Sequence, residues 1–384
     1  MATSNTLTGV IPTLYEALNI VSREMVGFIP AVRRDTNVAR AAVGQTVRSP
    51  IGVAGDLEDI TPGVNPQASG GTTVDYTDVQ ITASKAAPIL WSGEEQRGVG
   101  HTGTLNDILR DQFADGMRKL VNAIENDIWM AAYKASSRAY GTAGTTPFGT
   151  AGDLSDFAGI ARILDENGAP VIDRQLVLGH AAMGNLRGKQ SVLFKVNEAG
   201  SSDMLRDGMT DRVQNFALRH SHPIGVHTKG TGASYVTDVL DAIGSRSIAV
   251  DTGTGTVLAG DVVSFAADSA NKYVVNTGIT APGTLVLGKP GLRVAIPDGN
   301  GLTVGNNYTP NVAFHRGAIV LATRAPALPE GGDSADDRTV ITDPLTGLSF
   351  EVSVYRQYRQ VKYEIAMAWG VGTPNGAHIA TLIG

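Results

Sequence analysis

The stretch LNDILRDQFADGMRKLVNAIENDIWMAAYKASSR, residues 105–138, limits the fold more than any other part of the chain. Leu105, Leu109, Phe113, Met117, Leu120, Ile124, Ile128 and Ala131 recur at three- and four-residue spacing. That period places one apolar stripe along one side of a helix. Ile108, Val121, Trp129 and Met130 add a partial second stripe. Thr104 suits the N-cap, with Asp107 three residues on in a capping-box position. Gly141 is expected to end the helix. Such a helix would span ~50 Å at about 1.5 Å per residue, longer than a compact domain uses across its core. Gly116 is an internal weak point where a bend is expected. The second stripe implies a second partner surface.

The rest of the chain reads differently. Residues 12–29, PTLYEALNIVSREMVGFI, show a shorter amphipathic helix with Leu14, Leu18, Val21 and Met25 on one side. Residues 38–90 read as two long strands joined by the Pro-, Gly- and Asp-rich tip DLEDITPGVNPQASGG. A lone two-stranded ribbon is marginal in water, so it should lie on something else. Residues 151–225 read as mixed α/β. Residues 226–311 hold short strands with turn signals at regular spacing, the pattern of a small barrel or sandwich inserted into the α/β part. Residues 312–384 return to longer strands, with TDPLTG at 342–347 as a turn and EGGDSADDR as a polar loop with a mobile tip.

Composition supports an assembled protein. Of 384 residues 42% are hydrophobic, enough for a core without disulfides. Only 18% are charged, against roughly 25% in ordinary soluble domains, which suits a surface covered by other subunits. With no cysteine, a thiol nucleophile, Cys-ligated zinc and disulfides are excluded. A net charge of −6 gives no global footprint for nucleic acid. The first residues lack the basic and apolar regions of a signal peptide, and no membrane span is expected.

Chemical motifs are weak. GTLVLGKP, 283–290, has phosphate-loop spacing, but Pro290 stands where a Ser or Thr hydroxyl is needed, and a strand pattern follows. GTGTVLAG, 253–260, reads as a hairpin turn. His220, His222 and His227 cluster in RHSHPIGVHT without a third-ligand pattern or nearby carboxylates, and read as a polar strand edge. Asp333, Asp336 and Asp337 lack calcium-loop spacing and read as a solvated loop. Glu94–Glu95 and Asp56, Glu58 and Asp59 are carboxylate groupings of a kind any chain this long offers. No catalytic, cofactor or metal residue is assigned. Arg23, Arg33, Arg34 and Arg40 form a mildly basic N-terminal region, expected to pair with acidic loops such as Asp56, Glu58 and Asp59 within or between subunits.

The order of these segments resembles the major capsid proteins of tailed bacteriophages, the Johnson (Hong Kong ninety-seven type) fold, and more specifically short-tailed-phage coat proteins with an inserted β-barrel. TLYEALNIVSREMVGFIPAV is similar to the family's N-terminal arm helix. VQNFALRHSHPIGVHTKGTG resembles the strand leading into the insertion, GDVVSFA a strand of the inserted barrel, and NVAFHRGAIVLATRAP the return from it. YRQVKYEIAMAWGVGTPNGAHIATLIG resembles the terminal strand, the WG(V) turn and the Gly-rich end.

The resemblance implies an α+β fold. Its parts would be an N-terminal arm (1–37), an extended loop (38–90), a peripheral domain with the spine helix (91–150), an axial domain (151–225), a β-rich insertion (226–311) and return strands (312–384). It implies a non-enzymatic, cofactor-free subunit that closes with itself into hexamers and pentamers of a virion shell, in the bacterial cytoplasm. Implied partners are a scaffolding protein and a portal, with room for a decoration protein. Double-stranded DNA would be enclosed without sequence-specific binding, with no membrane partner. Arg33, Arg34, Arg40, Asp56, Glu58, Asp59, Trp129 and Met130 are the subunit-interface candidates. The rival readings are a secreted β-rich, lectin-like adhesin and a soluble hydrolase using a carboxylate pair.

Overall fold

The computed structural model describes residues 11–21, 26–51, 75–100, 105–190, 212–343 and 346–384. In chain order these form α1 (Ile11–Val21), β1 (Arg33–Ala41), β2 (Thr46–Ile51), β3 (Asp75–Gln80), β4 (Ala83–Ser92), α2 (Gly93–Gly100), α3 (Leu105–Lys134), β5 (Arg138–Gly141), α4 (Ser155–Glu166), β6 (Arg174–Leu178), α5 (His180–Lys189), β7 (Arg212–Val213) and β8 (Phe216–His220). Then come β9 (Tyr235–Thr237), β10 (Ser247–Asp251), β11 (Val262–Phe265), β12 (Asp268–Thr277), β13 (Gly283–Leu287), β14 (Gly301–Val304), β15 (Pro310–His315), β16 (Val320–Pro326), β17 (Asp337–Thr342), β18 (Ser349–Gln357), β19 (Gln360–Gly372) and β20 (Ile379–Ile383).

The expected long helix is α3, with 30 residues, or ~45 Å at about 1.5 Å per residue. It stops at Lys134, earlier than expected, and the chain is already strand by Arg138. Thr104 lies outside the described residues. Leu109, Phe113, Met117, Leu120, Ile124 and Ile128 are buried in one core together with Leu14 and Leu18 of α1. The first helix, expected over 12–29, is shorter: residues 26–29 are not helical.

α3 bridges two sheets. Its first half lies on β4 and β19, where Phe113 meets Tyr363 edge-on with ring centroids 5.5 Å apart. A Cβ at Gly116 would stand 3.1 Å from Ile365 Cδ1 and 3.3 Å from Ala87 Cβ, so this glycine marks close packing. About three-quarters of the way along, Trp369 Nε1 of β19 donates to Asp127 at 2.8 Å. The second half packs on β15 and β20, and Trp129 Nε1 donates to the Pro310 carbonyl at 3.1 Å.

The outer sheet runs β1-β16-β19-β18-β17, with β4 also paired to β19. β1 runs parallel to β16, almost the whole chain away in sequence. The WG(V) motif, expected as a turn, is strand: Trp369 to Gly372 belong to β19 and pair with β16. The larger sheet continues β5-β20-β15-β6-β8-β7. Phe157, Ile160 and Leu164 of α4 and Met183 and Leu186 of α5 form a second core with Leu176 and Leu178 of β6. Val177, Phe314 and Ile379, at alternate positions on their strands, join the α3 core instead.

Residues 235–304 form a closed β-barrel. The pairings β11–β14, β14–β9, β9–β10, β10–β13, β13–β12 and β12–β11 complete a ring, all antiparallel. Alternate residues point inward: Ile248 and Val250, Val263 and Phe265, Tyr273 and Val275, Leu285 and Leu287 fill its own core. Closure removes exposed sheet edges. β12 also pairs with β5 at Lys272 and Tyr273, which ties the barrel to the larger sheet. GTLVLGKP contributes β13 and no helix follows it.

Candidate assembly surfaces

Among the described residues β2 and β3 pair only with each other, Thr46 opposite Gln80 through Ile51 opposite Asp75. The residues of the tip, 52–74, lie outside the described residues. The ribbon's base is anchored: Val79 is buried with Ala41, Ile81, Val320, Ala322 and Ala368. It crosses β19 at two glycines. A Cβ on Gly370 would stand 2.0 Å from the Gln80 carbonyl oxygen, and one on Gly372 2.7 Å from Val79 Cγ2. Farther out, Arg48, Tyr76 and Asp78 are exposed. Arg48 forms an ion pair with the opposite Asp78 at 3.2 Å, and its guanidinium lies 4.1 Å over the half-exposed Tyr76 ring.

An open groove of about 820 Å³ runs between β4 and α3, lined in part by Lys85, Ala87, Leu90, Asp111, Asp115 and Lys119. Leu90 is 52% exposed there. Asp115 and Lys119 pair across one helical turn at 2.7 Å. The small residues Ala87 and Gly116 keep the groove floor close to the backbone, and charges of both signs line the walls.

Glu125 fastens the N-terminal segment to α3. Its side chain is fully buried. It accepts backbone N–H bonds from Gly27 at 3.3 Å, Phe28 at 3.0 Å and Ile29 at 2.6 Å, and a hydroxyl bond from Ser221 at 2.5 Å. This satisfies the donors of residues 27–29, which no helix ladder uses. Burial pushes the Glu125 carboxyl above the ordinary glutamate value, while the Ser221 hydroxyl and the three N–H groups pull it down. Outside this point, Arg110 of α3 reaches Glu16 of α1 at 3.3 Å.

The expected interface residues scatter. Arg40 bonds the Pro326 carbonyl and forms an ion pair with Glu351 at 2.5 Å, so it ties β1 into its own sheet rather than meeting an acidic loop. Arg34 is half-buried; burial and the neighbouring Arg316 push its guanidinium below the usual value, while Asp343 opposes them. Arg33 is exposed at the start of β1. Asp56, Glu58, Asp59 and Arg23 lie outside the described residues. Trp129, expected on a face open to a neighbour, is 7% exposed and packs against Tyr133 and Pro310 of its own chain. The physical reason is that the second half of α3 is covered by sheet on one side and by the base of the barrel on the other. Met130 is half-buried against the same core.

Other singled-out residues have structural partners. Glu95 and Ser92 form a reciprocal capping box at the start of α2, Ser92 donating from its N–H and hydroxyl and Glu95 N–H bonding back. Asp333, placed by the sequence in a mobile tip, accepts from Arg338 and Tyr355, and Asp336 pairs with Arg356. Of the three histidines, His227 separates from the other two. His220 and His222 each bond His180, at 2.8 and 3.1 Å. His227 is buried, 2.8 Å from Asp261 and 3.4 Å from the Tyr133 hydroxyl, where it joins the barrel base to the end of α3. Sequence reasoning missed Glu125, Ser221 and His180. A lone acid amid the polar positions of an amphipathic helix carries no local sign that it is buried.

No protein-family model and no curated protein matches the chain. Solved structures do. The capsid of Ralstonia phage GP4 aligns with a TM-score of 0.45 and 8% identity over 92% of this chain and 86% of that one. A structure from Mycobacterium phage Che8 aligns with a TM-score of 0.44 and 12% identity over 90% and 88%. A virus-like particle from Pyrococcus furiosus aligns with a TM-score of 0.41 and 9% identity over 97% and 96%.

Proposed function

We propose that the chain is the major capsid protein of a tailed bacteriophage, a structural subunit whose copies close into a shell around double-stranded DNA. The observation that carries this reading is the β2–β3 ribbon, which joins neither large sheet and, among the described residues, is buried at its base. Two strands alone are marginal in water, so their outer length needs a surface to lie on. The groove between β4 and α3 offers one on another copy, with charges of both signs to meet Arg48 and Asp78. A contact between two different patches of one subunit is heterologous, and it generates rings when the rotation closes.

On this reading α1 belongs to an N-terminal arm, the β2–β3 ribbon to the extended loop, which is shorter than 38–90 because β1 and β4 pair into the outer sheet, α3 is the spine helix, and the sheet with α4 and α5 the axial domain. The barrel is the insertion, and β16–β19 return to the peripheral part. Assembly takes place in the host cytoplasm with a scaffolding protein and a portal. An acidic subunit encloses DNA without reading its sequence. Negative-stain electron microscopy of the concentrated protein, alone and co-expressed with its scaffold, tests the reading. Rings, tubes or shells are expected; a persistent monomer in both preparations overturns it.

A further inference from the structure

The topology brings three histidines to one sheet end. β6 and β8 run parallel with Leu178 opposite His220. The carboxyl end of β6, which passes through Gly179 into α5 at His180, therefore lies beside the end of β8. Open α/β sheets place ligand sites outside the carboxyl ends of parallel strands. The backbone there is fixed. The Ser221 N–H donates to the Leu178 carbonyl at 3.1 Å, and the Gly179 N–H donates to the Asn311 side-chain oxygen at 2.8 Å. The Ser221 side chain is fully buried and donates to Glu125. Beside it, His220 is half-buried and His222 exposed, and His180 is exposed across from them.

His180 Nδ1 lies 2.8 Å from His220 Nε2, and His180 Nε2 lies 3.1 Å from His222 Nδ1. The ring centroids are 4.6 and 5.4 Å apart. The imidazoles do not converge on one point, since His180 turns a different nitrogen to each neighbour, and among the described residues no group of three or more ligand side chains forms a metal cage. Protons can be counted instead. Three neutral imidazoles carry three N–H groups on six nitrogens. With its proton on Nδ1, His180 donates to His220 Nε2, and its Nε2 lone pair faces His222 Nδ1. With the His222 proton on Nε2, two lone pairs meet across 3.1 Å. They repel unless a cation sits between them. Bonds of about 2.0–2.1 Å to one ion hold two nitrogens about 2.9–3.4 Å apart, from square to tetrahedral geometry. The 2.8 Å pair lies short of that range and suits a hydrogen bond. A ligating imidazole usually donates its other N–H to a neighbour that fixes its tautomer and orientation, and His220 is that neighbour here.

We propose that His180 Nε2 and His222 Nδ1 form an open site for a divalent transition-metal ion, with His220 positioning the His180 ring. Imidazole ligands with water completing the coordination suit copper, nickel or zinc rather than calcium or magnesium. The chain has no cysteine to compete for such an ion. The inference goes beyond the assembly reading and stands whether or not copies assemble.

Cu2+ alone, titrated into the full-length protein, tests it by calorimetry and by the nitrogen couplings in the copper paramagnetic resonance spectrum. The tightest-bound ion in the unaltered protein should show two imidazole nitrogens. His180→Gln and His222→Gln should each weaken its binding at least about tenfold and leave one imidazole nitrogen. Their metal-free melting midpoints should match that of the unaltered protein, because both positions are exposed. His220→Gln should weaken binding about 10–100-fold with both nitrogens kept, which separates a positioning residue from a ligand. His378→Gln, outside the cluster, should change neither readout. Fewer than two imidazole nitrogens on copper in the unaltered protein, or a spectrum unchanged in both His180→Gln and His222→Gln, overturns the proposal.

Discussion

The carboxylate of Glu125 accepts a 2.6 Å hydrogen bond from the backbone N–H of Ile29, 96 residues earlier in the chain. Three further donors share that buried carboxylate, so one side chain fixes the N-terminal segment, α3 and the end of β8 together. Glu125→Ala should destabilise the fold by about 2–4 kcal/mol, because buried donors are left without an acceptor. Urea unfolding measures it. Limited proteolysis should cut first within the N-terminal segment of the variant. A loss below about 0.5 kcal/mol would mean that the clamp carries no weight.

The second half of the long helix packs within its own fold. Trp129→Ala should cost about 3–5 kcal/mol, in the same range as Ile128→Ala, since both side chains are buried. Thermal unfolding of the two variants compares them directly. A Trp129→Ala protein of normal stability that fails to assemble would restore an interface role for the indole.

Glycines separate by their surroundings. Gly370→Ala puts a Cβ 2.0 Å from the Gln80 carbonyl oxygen, so the ribbon base must move, at about 1–3 kcal/mol. Gly184 lies inside α5 with nothing within 4 Å of its Cβ position. Gly184→Ala should stabilise by up to about 1 kcal/mol through helix propensity. Melting temperatures that shift in the same direction would contradict this assignment.

Acid acts on the fold through its part-buried histidines. Burial lowers the pKa of His220, His315 and His378 below the ordinary 6.5, with His180 next in effect on His220 and His315 next on His378. Where the unfolded chain has taken up a proton, the folded chain has not. The stability these groups contribute is complete above pH 6.5 and is lost as pH falls through that value toward the folded pKa. Glu125 acts oppositely: with a raised carboxyl it favours the fold most at low pH. Relative to His220→Gln, the unaltered protein should therefore lose more of its urea midpoint between about pH 7 and about pH 5. An unchanged slope would remove His220 from the account.

Local periodicity made much of this fold legible. The three-and-four spacing from Leu109 to Ile128 marks a helix because each turn repeats the same burial. The alternation of Val263 with Phe265, and of Leu285 with Leu287, marks strands whose turns keep them close enough in sequence to form a barrel. Long-range pairing was not legible. Nothing near Arg33–Ala41 announces a parallel partner at Val320–Pro326, and this pairing is what takes Arg40 to Glu351. The burial of Trp129 escaped for a similar reason. A partial second stripe shows that a helix has two apolar sides, but which chain covers the second depends on where β15 and the barrel base return.

The central claim is that the ribbon of one copy lies on the body of another, and a cryo-electron microscopy reconstruction of the assembled particle tests it most directly. The account expects a closed shell in which each β2–β3 ribbon crosses the groove between β4 and α3 of a neighbouring subunit, with Arg48 and Asp78 near the Asp111, Asp115 and Lys119 side chains. A shell whose ribbons fold back on their own subunits, or point free of any neighbour, would contradict it.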